Sequence, residues 1–303
     1  MAAIRMAASA FSLEDRTVLV TGVAGPTGRA AATWLWWHDA RVVGTDVRLV
    51  PSLSWEARRV PPVGDPAYLH ALLALVDAER PTLLVPTTSE ELPAIARLHD
   101  ALRALGCVLV MGAPSGVDVA ADKLLTAEVL SWARIPVPRS LGAPTSPDDL
   151  VAALGLPLLA KPRVGRGGRG VSVFHHEAEL AATPSGELVW QEFIPGEEYD
   201  VNLFVGADGE VTASVVLRKV ALRDGETGNA LGVVRVELPA VRDVAVRAAR
   251  ALRLAGPVDV DVRLRRDGTP TILEINARLG ANSLSATEVL EALEAAWREG
   301  SWT

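Results

Sequence analysis

Residues 256 to 283, GPVDVDVRLRRDGTPTILEINARLGANS, place acidic and amide side chains at intervals of two. Asp267-Gly268 is a strong hairpin turn, and with 266 paired to 269, positions summing to 535 face each other across the strands. Asp261 then lies opposite Glu274, and Asp259 opposite Asn276. The period of two puts all four on one face, with Val258, Val260, Val262, Leu273 and Ile275 on the other. Carboxylates opposed across a ladder repel, so the pairing predicts a cation between them. Hard oxygen donors of this kind suit Mg2+, with Mn2+ the alternative. The competing reading is a solvated face neutralised by Arg263, Arg265 or Arg278.

A second stretch is built for anions. Residues 157 to 173, PLLAKPRVGRGGRGVSV, run from an apolar strand through Lys161-Pro162-Arg163 into a loop holding Gly165, Gly167, Gly168 and Gly170, then into another strand. The pattern G-x-x-x-x-G-K-[ST] is missing, so this is not the usual phosphate loop. A glycine hairpin can instead fold over phosphates as a lid, its N–H groups donating and Lys161 reaching in from the strand end. Two arginines beside a lysine would repel without an anion, and six residues are more than a turn needs; the alternative is a plain flexible turn. Between this lid and the acidic hairpin, LVWQEFIPGEEYD (188 to 200) ends an apolar strand at Gln191-Glu192 and continues as an acidic loop. It is either an inter-domain hinge whose backbone meets an adenine edge or a solvated loop.

TGVAGPTGRA (21 to 30) raises a different possibility. Gly22, Gly25 and Gly28 turn a strand into a helix, and Asp46 ends the next strand where a ribose-binding acid would sit. Any such sharp turn benefits from glycines, so a structural or substrate-lining role is expected, with nicotinamide binding the alternative. Thr87, Thr88, Ser89 and Glu90 follow the third strand at its carboxyl end, where open α/β sheets bind ligands. With Asn282 and Ser283 after the acidic hairpin they are the substrate candidates, although helix capping alone accounts for Thr88 and Ser89. Adjacent His175 and His176 point to opposite faces of a strand and read as a surface strand end.

The 303 residues carry a formal charge of -7, which argues against broad contact with nucleic-acid phosphates. No apolar run nears the roughly 20 residues of a membrane span, and the opening MAAIRMAASAFSLEDR lacks the apolar stretch of a signal. A cytoplasmic small-molecule protein, without nucleic-acid or membrane partners, is expected. The single Cys107 rules out an intrachain disulfide and reads as core. Of 30 basic side chains only Lys123, Lys161 and Lys219 are lysines, and each marks a place that wants a compact, mobile ammonium rather than a planar fork. The eight tryptophans, with Trp34, Trp36 and Trp37 on one helix, read as packing or an oligomer face such as that of a homodimer.

Positioning these residues requires two kinds of architecture. Apolar runs at 17 to 21, 41 to 45, 82 to 86 and 107 to 111 read as buried strands, alternating with helical patterns near 27 to 38, 66 to 79 and 89 to 105. That alternation predicts half of a doubly wound parallel α/β sheet over 14 to 118, after a loose tail at 1 to 13. A helix at 119 to 134 then ends at Ile135-Pro136-Val137-Pro138. Beyond it the character is α+β: strands at 157 to 162, 171 to 175, 187 to 193, 199 to 206 and 211 to 217, helices near 147 to 154, 176 to 182, 240 to 253 and 285 to 297, and the hairpin at 257 to 276.

In this order the pieces resemble the ATP-grasp superfamily, in particular its carbamoyl-phosphate-synthase-like and pyrrolysine-ligase-like members, over nearly the whole chain. The resemblance implies an α/β pre-ATP-grasp domain followed by an α+β ATP-grasp domain in two subdomains, 119 to 190 and 191 to 303. In that family the first domain lines the substrate cleft and binds no dinucleotide. By position, Lys123 and Lys161 match the family's phosphate-reaching basic residues. Glu192 and the backbone of Phe193 and Ile194 match its adenine strand, and Glu198 its ribose acid. Asp261, Glu274 and Asn276 match its magnesium ligands, and Arg278 a residue that contacts the transferred phosphate. Lys219, or its neighbour Arg218, lies where members place a basic group near the γ-phosphate on a mobile loop, here about 218 to 234. Ala277 stands where a proline is common, and the chain ends soon after the helix at 285 to 297, which puts the acceptor pocket in doubt.

The resemblance implies an ATP- and magnesium-dependent ligase. A substrate carboxylate would attack the γ-phosphate to give an acylphosphate and ADP, and an amine would displace phosphate to form an amide. Both substrates would be small molecules. Two other classes are a nicotinamide-dependent oxidoreductase and a non-catalytic ATP-binding protein.

Overall fold

The computed structural model describes residues 16–49, 54–142, 146–182, 187–299 and 302; the tail expected at 1 to 13 lies outside them. The chain opens with β1 (Thr17–Thr21), an apolar run buried on both faces because it runs through the middle of a parallel sheet. The helix α1 (Pro26–Trp37) returns it to β2 (Arg41–Asp46), followed by β3 (Glu56–Arg59), α2 (Tyr68–Glu79) and β4 (Leu83–Val85). Short helical pieces lead on, including α3 (Leu92–Ile95) and α4 (His99–Ala104), to β5 (Val108–Leu109). The sheet order is β3-β2-β1-β4-β5, all parallel, which agrees with the expected α/β half-sheet. Two details differ. β3 is polar and only half-buried, so its sequence carries no apolar run. The single helix expected at 89 to 105 is broken into 3-10 and α segments, with Pro93 in the first turn of α3.

The helix expected at 119 to 134 is also two: α5 (Pro114–Ala121) and α6 (Lys123–Trp132). Asp122 divides them because its side chain accepts the Leu124 and Leu125 N–H groups and so caps the second helix. A four-stranded antiparallel sheet follows, ordered β6-β9-β7-β8, from β6 (Ser140–Leu141), β7 (Leu158–Pro162), β8 (Ser172–Phe174) and β9 (Leu188–Glu192), with α7 (Pro147–Leu154) packed on it. Leu150, Leu154, Leu158, Phe174 and Trp190 give this unit a core of its own.

A second antiparallel sheet has the order β12-β11-β10-β13-β14. It is built from β10 (Glu198–Val205), β11 (Val211–Leu222), β12 (Ala230–Arg235), β13 (Gly256–Leu264) and β14 (Pro270–Asn276). The helix α8 (Pro239–Ala251) covers its apolar face and α9 (Thr287–Glu299) follows it. Val201, Leu203, Val258, Val260 and Ile275 join Leu19, Val43, Leu84 and Leu109 of the parallel sheet in one continuous core. The loop expected at about 218 to 234 is instead the hairpin of β11 and β12, joined by residues 223 to 229. Among the described residues no helix is long and apolar enough to cross a membrane.

The glycine turn after β1 is filled by protein. Val23 N donates to Thr45 O at 3.2 Å, Ala24 N to Asp46 Oδ2 at 2.9 Å and Gly25 N to Gly22 O at 2.8 Å, so three amides of the turn are spent internally. Asp46 closes the turn. Gly22 has φ +62, and a Cβ there would sit 2.6 Å from Thr88 Oγ1. At Gly28 a Cβ would meet Gly22 O at 2.4 Å and Thr21 O at 2.7 Å, backbone atoms that cannot swing away. Gly28→Ala gains about 1 kcal/mol of helix propensity but loses about 2–3 kcal/mol to overpacking against fixed backbone, so the variant is destabilised by about 1–2 kcal/mol net in urea unfolding. A neutral or stabilising result would mean that helix and turn are not packed this closely.

Candidate active site

The polar face of the second antiparallel sheet forms the floor of the site. Across β10, β13 and β14, Asp200 lies beside Asp261 and Asp261 beside Glu274; one step along, Asn202 lies beside Asp259 and Asp259 beside Asn276. The register read from the sequence for the pairs Asp261–Glu274 and Asp259–Asn276 therefore holds, but the turn is not the expected one. Arg265 N donates to Thr269 O at 3.0 Å around three turn residues, with Gly268 at φ +82. The pairs nearest the turn are Val262–Ile272, Arg263–Thr271 and Leu264–Pro270, and a bulge after Asp261 restores the outer register. Ile272 takes the core place expected for Leu273, and Leu273 lines the cleft.

Every carboxylate of this floor has a cationic side chain near it or is hydrogen-bonded to one that does. Lys219 Nζ lies 2.6 Å from both Glu198 Oε1 and Asp261 Oδ1. Burial works against its ammonium, but Asp261 and Glu198 outweigh it and hold its pKa above the ordinary lysine value. Arg263 Nε donates to Glu198 Oε2 at 2.8 Å and its Nη1 to Ile194 O at 2.8 Å, with the guanidinium over the Phe193 ring. Arg278 Nη1 reaches Asp259 Oδ2 at 2.8 Å. Lys123, the first residue of α6, donates to Gly165 O at 2.9 Å and stands 3.6 Å from Glu274. Asp200 is buried beside Asp259, and burial followed by that neighbour raises its pKa well above the carboxylate range. Asn202 and Asn282 both donate to Asp200, at 2.6 and 2.7 Å.

Lys161 reaches the same cleft from β7, where its Nζ donates to Leu273 O at 3.2 Å. Burial, against the pull of Glu274, lowers its pKa to about 8. A glycine-rich loop closes over it: Gly167, Gly168 and Gly170 all have positive φ, and a Cβ on Gly168 would sit 2.8 Å from Gly228 Cα in the β11–β12 loop. The cavity enclosed between the two antiparallel sheets has a volume of about 220 Å³ and is lined by Lys161, Gly167, Gly168, Ile194, Glu198, Lys219, Asp261, Glu274, Asn276 and Arg278.

The parallel sheet supplies the far wall. Ser89 Oγ donates to Asn276 Oδ1 and accepts from Arg278 Nε, both at 3.1 Å, across more than 180 residues of sequence. Glu90 pairs with Arg166 of the glycine loop. A second cavity, of about 500 Å³, opens here between Gly22, Asp46, Thr88 and Glu90 on one side and Arg166 and Arg169 on the other. Thr87 donates to Thr21 O at 2.7 Å, and Thr88 makes the capping box with Glu91 that the sequence allowed.

Some candidates stand elsewhere. Arg218 alternates with Lys219 on β11, points outward and pairs with Glu197 at 3.0 Å. The Glu192 carboxylate is held by Arg139 and Arg265 and its N–H donates to Arg139 O at 3.0 Å, so neither group is turned to a ligand. Thr87, Ser89 and Ser283 are buried and line neither cavity; of the substrate candidates Thr88 and Glu90 line the second and Asn282 the first. Asp200, Asn202 and Arg263 were not singled out as site residues. The alternation Glu198-x-Asp200-x-Asn202 carries the same period-two signal as the acidic hairpin and would have found the first two. His175 lies at the surface, 3.4 Å from Glu226.

Because the folded pKa of Lys161 is about 8 and the unfolded one near 10.5, the unfolded chain holds the extra proton between those values. Stability therefore rises with pH there. Relative to Lys161→Met, the wild type should gain about 1 kcal/mol in urea unfolding between pH 8 and pH 9. A difference that does not change with pH would place the ammonium in solvent.

The geometry has counterparts. The family model for the ATP-grasp domain matches residues 120–282, from the cap of α6 through the acidic hairpin. The chain is 30% identical over 197 residues to the D-alanine–D-alanine ligase of Gloeobacter violaceus, covering 57% of this chain and 64% of the ligase. It is 23% identical over 235 residues to the carbamoyl phosphate synthase large chain of Xylella fastidiosa, covering 71% of this chain and 22% of the synthase. It thus spans less than two thirds of the length of either. Among solved structures, the L-amino acid ligase from Bacillus licheniformis shares the fold with a TM-score of 0.67 at 19% identity, covering 90% of this chain and 69% of that one. The biotin carboxylase of Campylobacter jejuni does so with a TM-score of 0.70 at 15% identity, covering 96% and 72%. With more than half its length matched by the family model, and with the parallel sheet and two antiparallel sheets of the fold in place, this chain belongs to the ATP-grasp family.

Proposed function

We propose that the protein is an ATP-dependent ligase that activates a small carboxylate as an acylphosphate and joins it to an amine. The observation that carries this reading is the cleft where Lys123, Lys161, Lys219 and Arg278 meet Asp261, Glu274 and Asn276 under a glycine loop. Rows of cations there suit phosphates, and two opposed carboxylates with a carboxamide are a hard-oxygen donor set that fits Mg2+. When bound, the metal would neutralise phosphate charge.

In this reading the triphosphate lies between Lys161 and the loop amides of Gly165, Gly167, Gly168 and Gly170, with Lys123 fixing the loop through Gly165 O. The adenine lies against the backbone of Glu192, Phe193 and Ile194, and Glu198 faces the ribose. Arg278, held by Asp259 and Ser89, is aimed so that its remaining donors can meet the transferred phosphoryl group. The carboxylate enters from the second cavity, past Thr88 and Glu90, toward Asn282 on the lining of the first. Expulsion of water by the closed loop protects the acylphosphate until the amine attacks. Catalysis of this kind rests on positioning and charge, so it requires no nucleophilic side chain. The D-alanine–D-alanine ligase and L-amino acid ligase relatives support an amino acid or a similarly small molecule as substrate. A need for ATP places such an enzyme in the cytoplasm. The nicotinamide alternative is disfavoured by the three turn amides that already have protein partners and by the close packing of Gly22 and Gly28.

The test is magnesium-dependent release of ADP and phosphate across a panel of amino acids and small carboxylates, each with and without a candidate amine. Release is expected to require one carboxylate, and Asp261→Asn should lower kcat by about 100-fold or more while the protein still folds. ADP binding without release under any pair would contradict a ligase.

A further inference from the structure

Resting on the reading that Asp261 and Glu274 are metal ligands, we propose that Lys219 is a built-in counter-ion that occupies the metal side of the site until a nucleotide draws it away. The Lys219 ammonium sits 2.6 Å from an oxygen of Glu198 and 2.6 Å from an oxygen of Asp261, with only 8% of its side chain exposed. A magnesium ion binds a carboxylate oxygen at roughly 2.0–2.1 Å, so it cannot share Asp261 Oδ1 with an ammonium already in contact without bringing two cations together. The rest of the floor gives a bare metal no better opening. Arg278 takes Asp259, Arg263 takes the second oxygen of Glu198, and Lys123 stands beside Glu274. The carboxylates are neutralised from within.

Nucleotide phosphates change that balance. They offer Lys219 a stronger partner, and the long unbranched lysine stem lets the ammonium move several ångströms from a fixed strand position. Asp261 is then released to a metal that arrives with the same phosphates. Metal and nucleotide binding are therefore coupled through one side chain, and in the metal-free cleft the Lys219 ammonium offsets the carboxylate repulsion that the metal would otherwise offset. This also accounts for lysine at 219 in a chain with only three. An arginine fork would hold both carboxylates too rigidly to be displaced.

Two measurements test this. In the first, Mn2+ binding is followed by electron paramagnetic resonance for wild type and Lys219→Met, without nucleotide and with ADP. Without nucleotide, Lys219→Met should bind Mn2+ about tenfold more tightly than wild type, and equal or weaker binding overturns the proposal. Binding by neither protein, even with ADP, overturns the metal-ligand reading as well, which separates the two failures. The second keeps Lys219 in place, with its signal assigned by Lys123→Arg and Lys161→Arg, and so survives a folding defect in Lys219→Met. In wild type labelled with 15N-lysine, the three ammonium signals are followed by NMR. Mg2+ alone should leave the Lys219 signal in place and Mg2+ with ADP should move it; an equal shift with Mg2+ alone overturns the proposal.

Discussion

A row of carboxyl groups on one face of an antiparallel sheet is the constraint from which the rest of the structure follows. Asp200, Asp261 and Glu274 stand side by side across three strands, with Asp259 one step along. Side chains so placed repel at distances near 5 Å, and their burial makes the repulsion harder to screen. The fold answers with cations drawn from every part of the chain: Lys123 from a helix start, Lys161 from the other sheet, Lys219 and Arg263 from neighbouring strands, and Arg278 from beyond the hairpin. A surface with this charge pattern, roofed by glycines, is suited to a polyanion that arrives with a metal.

Much of that pattern can be read in the sequence, because strand periodicity converts spacing directly into facing. The pairs Asp261–Glu274 and Asp259–Asn276 follow from a turn signal and a period of two. The one-residue bulge that places Ile272 rather than Leu273 in the core, on the strand that α8 packs against, does not, since a bulge leaves no mark in the spacing. The parallel strands announce themselves as apolar runs, whereas β3 does not, because an edge strand carrying Glu56, Arg58 and Arg59 is half in water. Spacing alone does not distinguish Lys219 from Arg218; because β11 runs through both, alternation turns one inward and the other outward.

Contacts that join distant segments are a different matter. Ser89 meeting Asn276 and Arg278, Glu90 meeting Arg166, and Arg263 bridging Glu198 and Ile194 depend on how three sheets are set against each other. No local spacing encodes them. The scarcity of lysine was the nearest sequence signal, and all three lysines converge on one cleft. The N-terminal glycines show the reverse error that motif reading invites. Their spacing suits a dinucleotide, yet their amides and their missing side chains serve the packing of β1, α1 and Thr88.

The decisive observation is where a nucleotide protects the backbone. Hydrogen exchange by mass spectrometry, with and without ADP and Mg2+, reads this on the unaltered chain. Protection is expected at 161 to 170, 191 to 198 and along the hairpin of β13 and β14, with the turn at 21 to 30 unchanged. Protection confined to 21 to 30, or produced there by NAD+ and nowhere by ADP, would contradict a nucleotide site between the two antiparallel sheets.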